Sequence, residues 1–211
     1  MVKKQDLLIE IGTEELPPKS LKNLAAIFRE QMCLALKDEE LDFSDANWYA
    51  TPRRLSLIIN DVDTTQKDKK SQRKGPSLSA AFDKNKKPTQ ATLGFARSCN
   101  VGVEKLEKFE NEKGAWLVFN TILEGKKTDK LIPKLVETIL ERLPIAKRMR
   151  WGNHNIEFVR PIKWTLILFG NKPLNCKILG IESGTCSYGH RYHHPDALEI
   201  KKPSEYIDTL K

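Results

Sequence analysis

Residues 145–169 read IAKRMRWGNHNIEFVRPIKWTLILF, and the fold turns on how this stretch divides. It opens on a basic run, crosses a Gly-Asn turn and ends in the most continuously apolar run of the chain. Alternate side chains of an extended segment share a face. Lys147, Met149 and Trp151 are therefore predicted on one side and Arg148 and Arg150 on the other. Beyond Arg160-Pro161, Ile162, Trp164, Leu166 and Leu168 fall on one face, with Thr165, Ile167 and Phe169 opposite. Apolar residues on both faces predict a central strand. Two cationic strand ends then meet near one turn, beside an exposed Trp151 and His154. Such a patch suits a polyanion; a solvated strand end with snorkelling arginines is the plainer alternative.

Upstream, LLIEI at 7–11 is a short apolar run closed by Gly12, read as a buried strand. Pro17 and Pro18 suit the first turn of a helix, and Leu21, Leu24, Ala25, Phe28, Met32 and Leu36 follow at helical spacing. Glu14 and Glu15 precede that helix, where its dipole favours acids; a catalytic carboxylate pair is the sharper alternative. In RRLSLII, Leu55, Leu57 and Ile59 alternate with Arg54 and Ser56, a half-buried strand whose exposed end carries Arg53 and Arg54. Residues 64–74 (TTQKDKKSQRK) lack any apolar residue. They read as a flexible loop or an exposed edge strand, the solvated loop being preferred.

Gly75-Pro76-Ser77 reads as a turn. Short helices are expected through Ala80–Phe82 and from Thr89 to about Cys99, the second holding Gly94, which predicts close packing or a nearby ligand. Residues 116–123 read as a strand. The stripe Leu131, Ile132, Leu135, Val136, Ile139, Leu140 and Leu143 predicts a helix over 129–143, with Pro133 near its first turn or kinking it. Two strands are expected over 174–179 and 183–188, then GHRYHH at 189–194, and Pro203-Ser204 before a helix that starts at Glu205.

Composition narrows the function. The chain carries 36 Lys and Arg against 28 Asp and Glu, a formal net charge of +8 that favours an acidic partner such as nucleic acid. Cys33, Cys99, Cys176 and Cys186 form no CxxC pair, and reduced thiols in a cytoplasm are the economical reading. No apolar run reaches the ~20 residues of a membrane helix. There is no GxxxxGK[ST] and no GxGxxG for ATP phosphates. Cys186, His190, His193 and His194 fit no zinc spacing, so no metal is expected. No nucleophile–base pattern appears, so no catalytic residue is assigned and an editing or hydrolase domain has no signature behind it. What remains is a basic set interleaved with aromatics: Arg53, Arg54, the 67–74 run, Arg97, Lys147, Arg148, Arg150, Trp151, Arg160, His190, Arg191 and Tyr192. Arginine offers bidentate phosphate contacts and aromatics offer stacking for unpaired bases.

Taken together the motifs have a family likeness. LLIEIGTEELPP at 7–18, ATPRRLSLII at 50–59, KGPS at 74–77, AAFD at 80–83 and GFARS at 94–98 occur in one order. KRMRWG at 147–152, FVRPIKW at 158–164 and GHRY at 189–192 continue it. The chain resembles the N-terminal part of the beta subunit of bacterial, heterotetrameric glycyl-tRNA synthetase. The resemblance implies an α+β domain over 1–203, with mainly antiparallel sheets and packed helices, a basic loop near 64–76 and a helical segment near 77–100. It implies too that 204–211 begin a helix leading into a longer protein, and that the fold is similar to beta-subunit modules of phenylalanyl-tRNA synthetase. It further implies partners: an alpha subunit in an alpha2-beta2 tetramer, and the tRNA for glycine. The alpha subunit would bind ATP, Mg and glycine and form the adenylate. This section would bind no cofactor and would support tRNA binding through Arg53, Arg54, Arg97, Lys147, Arg148, Arg150, Trp151, Arg160, His190 and Arg191. A scaffold that grips alpha or the rest of beta without touching RNA is the rival expectation.

Overall fold

The computed structural model describes residues 3–83, 87–111, 114–152 and 156–211. His154 and its turn, predicted beside Trp151, lie outside the described residues. By backbone proximity the chain forms two compact units, Met1–Gln66 with Lys126–Lys211, and Lys67–Gly125.

The first unit opens with β1 (Lys4–Thr13), α1 (Pro18–Asp38), β2 (Asp45–Thr51) and β3 (Arg54–Asp63). The second consists of β4 (Lys69–Ser77), α2 (Leu78–Ala81), α3 (Gln90–Ser98), β5 (Glu107–Asn111) and β6 (Gly114–Leu123), with a 3-10 turn before β5. The chain then returns to the first through α4 (Thr128–Arg142), β7 (Met149–Arg150), β8 (Glu157–Phe158) and β9 (Ile162–Phe169). The short strands β10 (Lys172–Pro173), β11 (Lys177–Ile178), β12 (Ile181–Gly184), β13 (Cys186–Tyr188) and β14 (Ala197–Glu199) follow, and α5 (Tyr206–Thr209) closes the chain.

In the first unit β9 is central, as its two apolar faces require. The sheet runs β11-β12-β9-β1-β3-β2, with β10 also on β9. All its pairings are antiparallel except β12 with β9. The α+β class is what the structure shows. One face presents Leu7, Ile9, Ile11, Leu55, Leu57, Ile59, Ile167 and Phe169 to Phe28, Met32 and Leu36 of α1 and to Ile132, Val136 and Leu140 of α4, all buried. The other face carries Leu8, Leu166 and Leu168 and is covered by Ile200 and Tyr206, with Ile207 and Leu210 packed on them. Ile162, expected beside Trp164, joins the helix-side core instead. Gly12 pairs with Trp164 but Thr13 pairs with Ile162, so Lys163 bulges out of register and the alternation flips there.

Two local expectations change. β3 is buried on both faces, Arg54 and Ser56 included, rather than half-buried. The alternation assigned to 147–151 does not develop, because the strand is two residues long; Trp151, expected exposed, is half-buried and packs on the main core. Pro133 lies inside α4 at its sixth residue, where its missing N–H leaves the Asp129 carbonyl without its usual helical donor.

The second unit is a three-stranded antiparallel sheet, β4-β6-β5. Its own small core includes Ala81, Ala96, Leu117 and Val118, and the Thr92 hydroxyl donates to the Ala81 carbonyl at 2.7 Å. The predicted basic loop is strand β4, paired with β6 from Lys69↔Leu123 to Lys74↔Val118. A strand without apolar residues is stable here because it is an edge, hydrogen-bonded on one side, with its lysines in solvent. Gly75-Pro76, expected as a turn, is a bulge inside that strand. A Cβ on Gly75 would lie 2.5 Å from the Phe95 ring. Gly94, for which close packing or a nearby ligand was predicted, is not closely packed: a Cβ added there would meet nothing within 4 Å.

Candidate nucleic-acid interface

The site is built where β1, β3 and β9 end together. Glu10, a carboxylate inside an apolar strand, is fully buried, and a buried charge persists only when paired and hydrogen-bonded. Arg54 lies 3.6 Å from Glu10 Oε2. The Trp164 indole N–H donates to Glu10 Oε1 at 2.5 Å, and the Ser187 hydroxyl reaches both carboxylate oxygens at 2.8 and 2.9 Å. Arg54 also donates to Ser187 Oγ at 3.1 Å and to the Tyr188 carbonyl. The Tyr206 hydroxyl meets Ser56 Oγ at 2.5 Å. Its pKa is pushed above the ordinary 10.0, first by burial and then by the Glu10 carboxylate beside it. Gly12 makes the arrangement possible, since a Cβ there would overlap the Trp164 ring.

This network explains how β13 and β14, which form a separate two-stranded sheet, are fixed to the main sheet. Strand β13 in turn launches residues 189–194. The loop folds back on itself, with the His194 N–H donating to the His190 carbonyl at 2.7 Å. Gly189 permits that close return, because a Cβ there would lie 2.7 Å from His194 Cβ. As a result Arg53, His190 and Arg191, far apart in sequence, line one cleft of about 780 Å³. Arg191 also lines an adjoining hollow of about 630 Å³ with Arg160, Glu14 and Glu15.

The cations differ in what holds them. Arg53 is half-buried over the Trp164 ring at 5.8 Å, and its Nε is buried without an acceptor among the described residues. Arg191 is exposed and pairs loosely with Glu15 at 3.5 Å, a surface contact worth about 0–1 kcal/mol. Arg160 donates to the Glu15 carbonyl at 3.1 Å and approaches the Met149 sulfur at 2.9 Å. Glu14 and Glu15 precede α1 as expected, but their side chains serve ion pairs rather than the helix end. Lys163 binds Glu14 at 3.0 Å, and that hydrogen bond lowers the Glu14 pKa.

Two predicted contact residues are engaged inside the fold. Arg54, expected at an exposed strand end, is 8% exposed and belongs to the Glu10 network. Arg148 caps α4, donating to the carbonyls of Glu141 at 2.5 Å and Leu143 at 3.0 Å, the placement that satisfies a helix C-terminus. Lys147 and Arg150 are exposed. Arg97 is exposed in the last turn of α3, in the second unit. Among the described residues no group of three or more His, Cys, Asp or Glu is arranged to hold a metal. None of the described helices is long and apolar enough to cross a membrane. The sequence reading missed Glu10, Ser187 and Tyr206; the available signal was an acid inside a strand with apolar neighbours on both sides.

Comparison with known proteins agrees with the motif order. The profile of the family described as glycyl-tRNA synthetase beta subunit matches residues 7–211. The glycine–tRNA ligase beta subunit of Hahella chejuensis is 48% identical over 207 residues, 98% of this chain and 30% of that protein. Those of Marinobacter nauticus and Azotobacter vinelandii are each 43% identical over the same coverage. The chain thus spans about 30% of the length of the curated relatives it matches. With the family profile covering nearly the whole chain, it belongs to the glycyl-tRNA synthetase beta subunit family.

Proposed function

We propose that this chain is a non-catalytic, tRNA-binding section of a cytoplasmic glycine–tRNA ligase. In this reading the ATP-, Mg- and glycine-dependent step belongs to an alpha subunit, within an alpha2-beta2 assembly. The observation that carries the proposal is the convergence of Arg53, His190 and Arg191 on one cleft, with Arg160 in the hollow beside it. Arg53 feels the Glu14 carboxylate, whose pKa it helps to lower, and Arg191 has only a weak, exposed pair with Glu15, so both can turn to phosphate at little cost. Arg150 and Lys147 are further solvent-facing cations on the same unit. Arg97 would act from the second unit. Trp151, half-buried on the core, supports the segment that carries Arg150.

The test is the Arg53→Ala/Arg191→Ala variant assembled with the alpha subunit. Aminoacylation should show a raised KM for tRNA, while glycine-dependent ATP–pyrophosphate exchange, a reaction without tRNA, stays intact. An unchanged KM with loss of subunit association would replace this reading with the scaffold.

A further inference from the structure

The cleft is not shaped for phosphate alone. Its lining includes Arg53 and Arg191 but also Leu198, Ile207, Leu210 and Tyr49. A flat cationic surface is enough to follow a duplex backbone, which carries its charge outside. A cleft lined by both apolar side chains and two guanidinium groups suits a ligand with a flat aromatic part and an anionic part. The volume of about 780 Å³ lies in the roughly 300–1,000 Å³ range of sites that bury a small ligand. One further feature points the same way. Leu198, Ile207 and Leu210 are only half-buried, so apolar area remains to be covered.

We infer that this cleft takes a single unpaired RNA nucleotide, its base against Leu198, Ile207 and Leu210 and its 5′-phosphate against Arg53 and Arg191. The inference rests on the RNA-binding reading above and narrows it from a backbone contact to an extruded or terminal base. The recognition is stacking and apolar contact plus one phosphate, the mode by which unpaired bases are held. It requires no base-specific hydrogen bond, so sequence preference should be weak.

The experiment compares binding of a blunt RNA duplex and the same duplex with a four-nucleotide unpaired overhang, by fluorescence anisotropy. Competitors are adenosine 5′-monophosphate and inorganic phosphate. The overhang should bind about tenfold tighter or more. Leu198→Trp, which fills the cleft from the exposed strand β14, and Tyr49→Ala, on edge strand β2, should each reduce that gain. Both should weaken binding of the overhang duplex by a larger factor than that of the blunt duplex. Arg53→Ala/Arg191→Ala should weaken both RNAs. Equal affinity for the two duplexes, both sensitive to the arginines, would overturn the unpaired-nucleotide assignment and leave the RNA-binding reading standing. Binding of neither RNA would overturn both. Adenosine monophosphate competing as strongly as the overhang duplex would make this a free-nucleotide site, and phosphate doing so alone would make it a simple anion site. Either result contradicts the inference.

Discussion

The two compact units handle positive charge in opposite ways. Lys67–Gly125 carries twelve Lys and Arg against seven Asp and Glu, so +5 of the chain's +8 resides in its 59 residues. On β4 Lys69, Lys70, Arg73 and Lys74 are all exposed, and Lys74 lies over the Trp116 ring at 3.4 Å. In the larger unit the arginines divide. Arg54 is buried on Glu10 and Arg148 is bound to helix carbonyls, whereas Arg53 and Arg191 face a cleft. Adjacent arginines at 53 and 54 thus differ, Arg53 being half-buried at a cleft and Arg54 buried on Glu10. A high local charge therefore does not by itself mark a binding site; what matters is which cations the fold leaves without internal partners.

The contrast is broken most sharply through Glu10. Glu10→Ala strands Arg54 in the interior and should destabilise the larger unit by about 3–5 kcal/mol in urea unfolding. Lys70→Ala on the second unit's exposed edge should stay within about 0.5 kcal/mol. Comparable losses at the two positions would remove the distinction.

Gly12→Ala comes next. Its Cβ would run into the Trp164 ring and force the indole off Glu10, a loss of about 1–3 kcal/mol readable as a lower melting temperature and altered tryptophan fluorescence.

Tyr206→Phe is smaller, about 1 kcal/mol at neutral pH, and it carries a pH signature. The folded-state pKa of Tyr206 lies above its unfolded value of 10.0. The folded state therefore keeps a proton that the unfolded chain releases. The stabilisation is complete below pH 10 and falls as pH rises beyond it. Unfolding titrations above pH 10 should show a shallower loss in Tyr206→Phe than in the parent.

The smallest effect is expected from removing the second unit altogether. Its ends are held together by hydrogen bonds from Gln66 N–H to the Lys126 carbonyl at 3.0 Å and from Thr128 N–H to the Thr64 carbonyl at 3.0 Å. Both named core clusters are built from residues of the larger unit. Replacing 67–125 by a two-residue Asn-Gly turn should leave that unit folded with a melting temperature close to the parent's. An unfolded product would show that the two units are energetically one.

How much of this is legible in the sequence follows from the physics of each element. The central strand β9, the stripe of α1 and the stripe of α4 are written in apolar spacing, and the motif order leads to the family. For 64–74 a local reading leaves loop and exposed edge strand both open and leans to the loop, because the backbone pairing with β6 that decides for the strand is not local. Arg54 misleads because its partner Glu10 lies on another strand, and Arg148 because a helix C-terminus draws its cap from beyond Leu143-Pro144. The cleft is invisible for the same reason: Arg53 and Arg191 meet only through the Glu10 network and the fold-back at Gly189.

In the proposed reading Arg53 and Arg191 meet RNA phosphate while Arg148 serves the fold. The salt dependence of tRNA affinity tests it most directly. Each lost phosphate contact lowers the slope of log K against log salt by about 0.7–0.9. Arg53→Ala/Arg191→Ala should therefore flatten the slope by up to twice that step, while Arg148→Ala should lower the melting temperature and leave the slope as it is. A slope flattened by Arg148→Ala and unmoved by Arg53→Ala/Arg191→Ala would contradict the account.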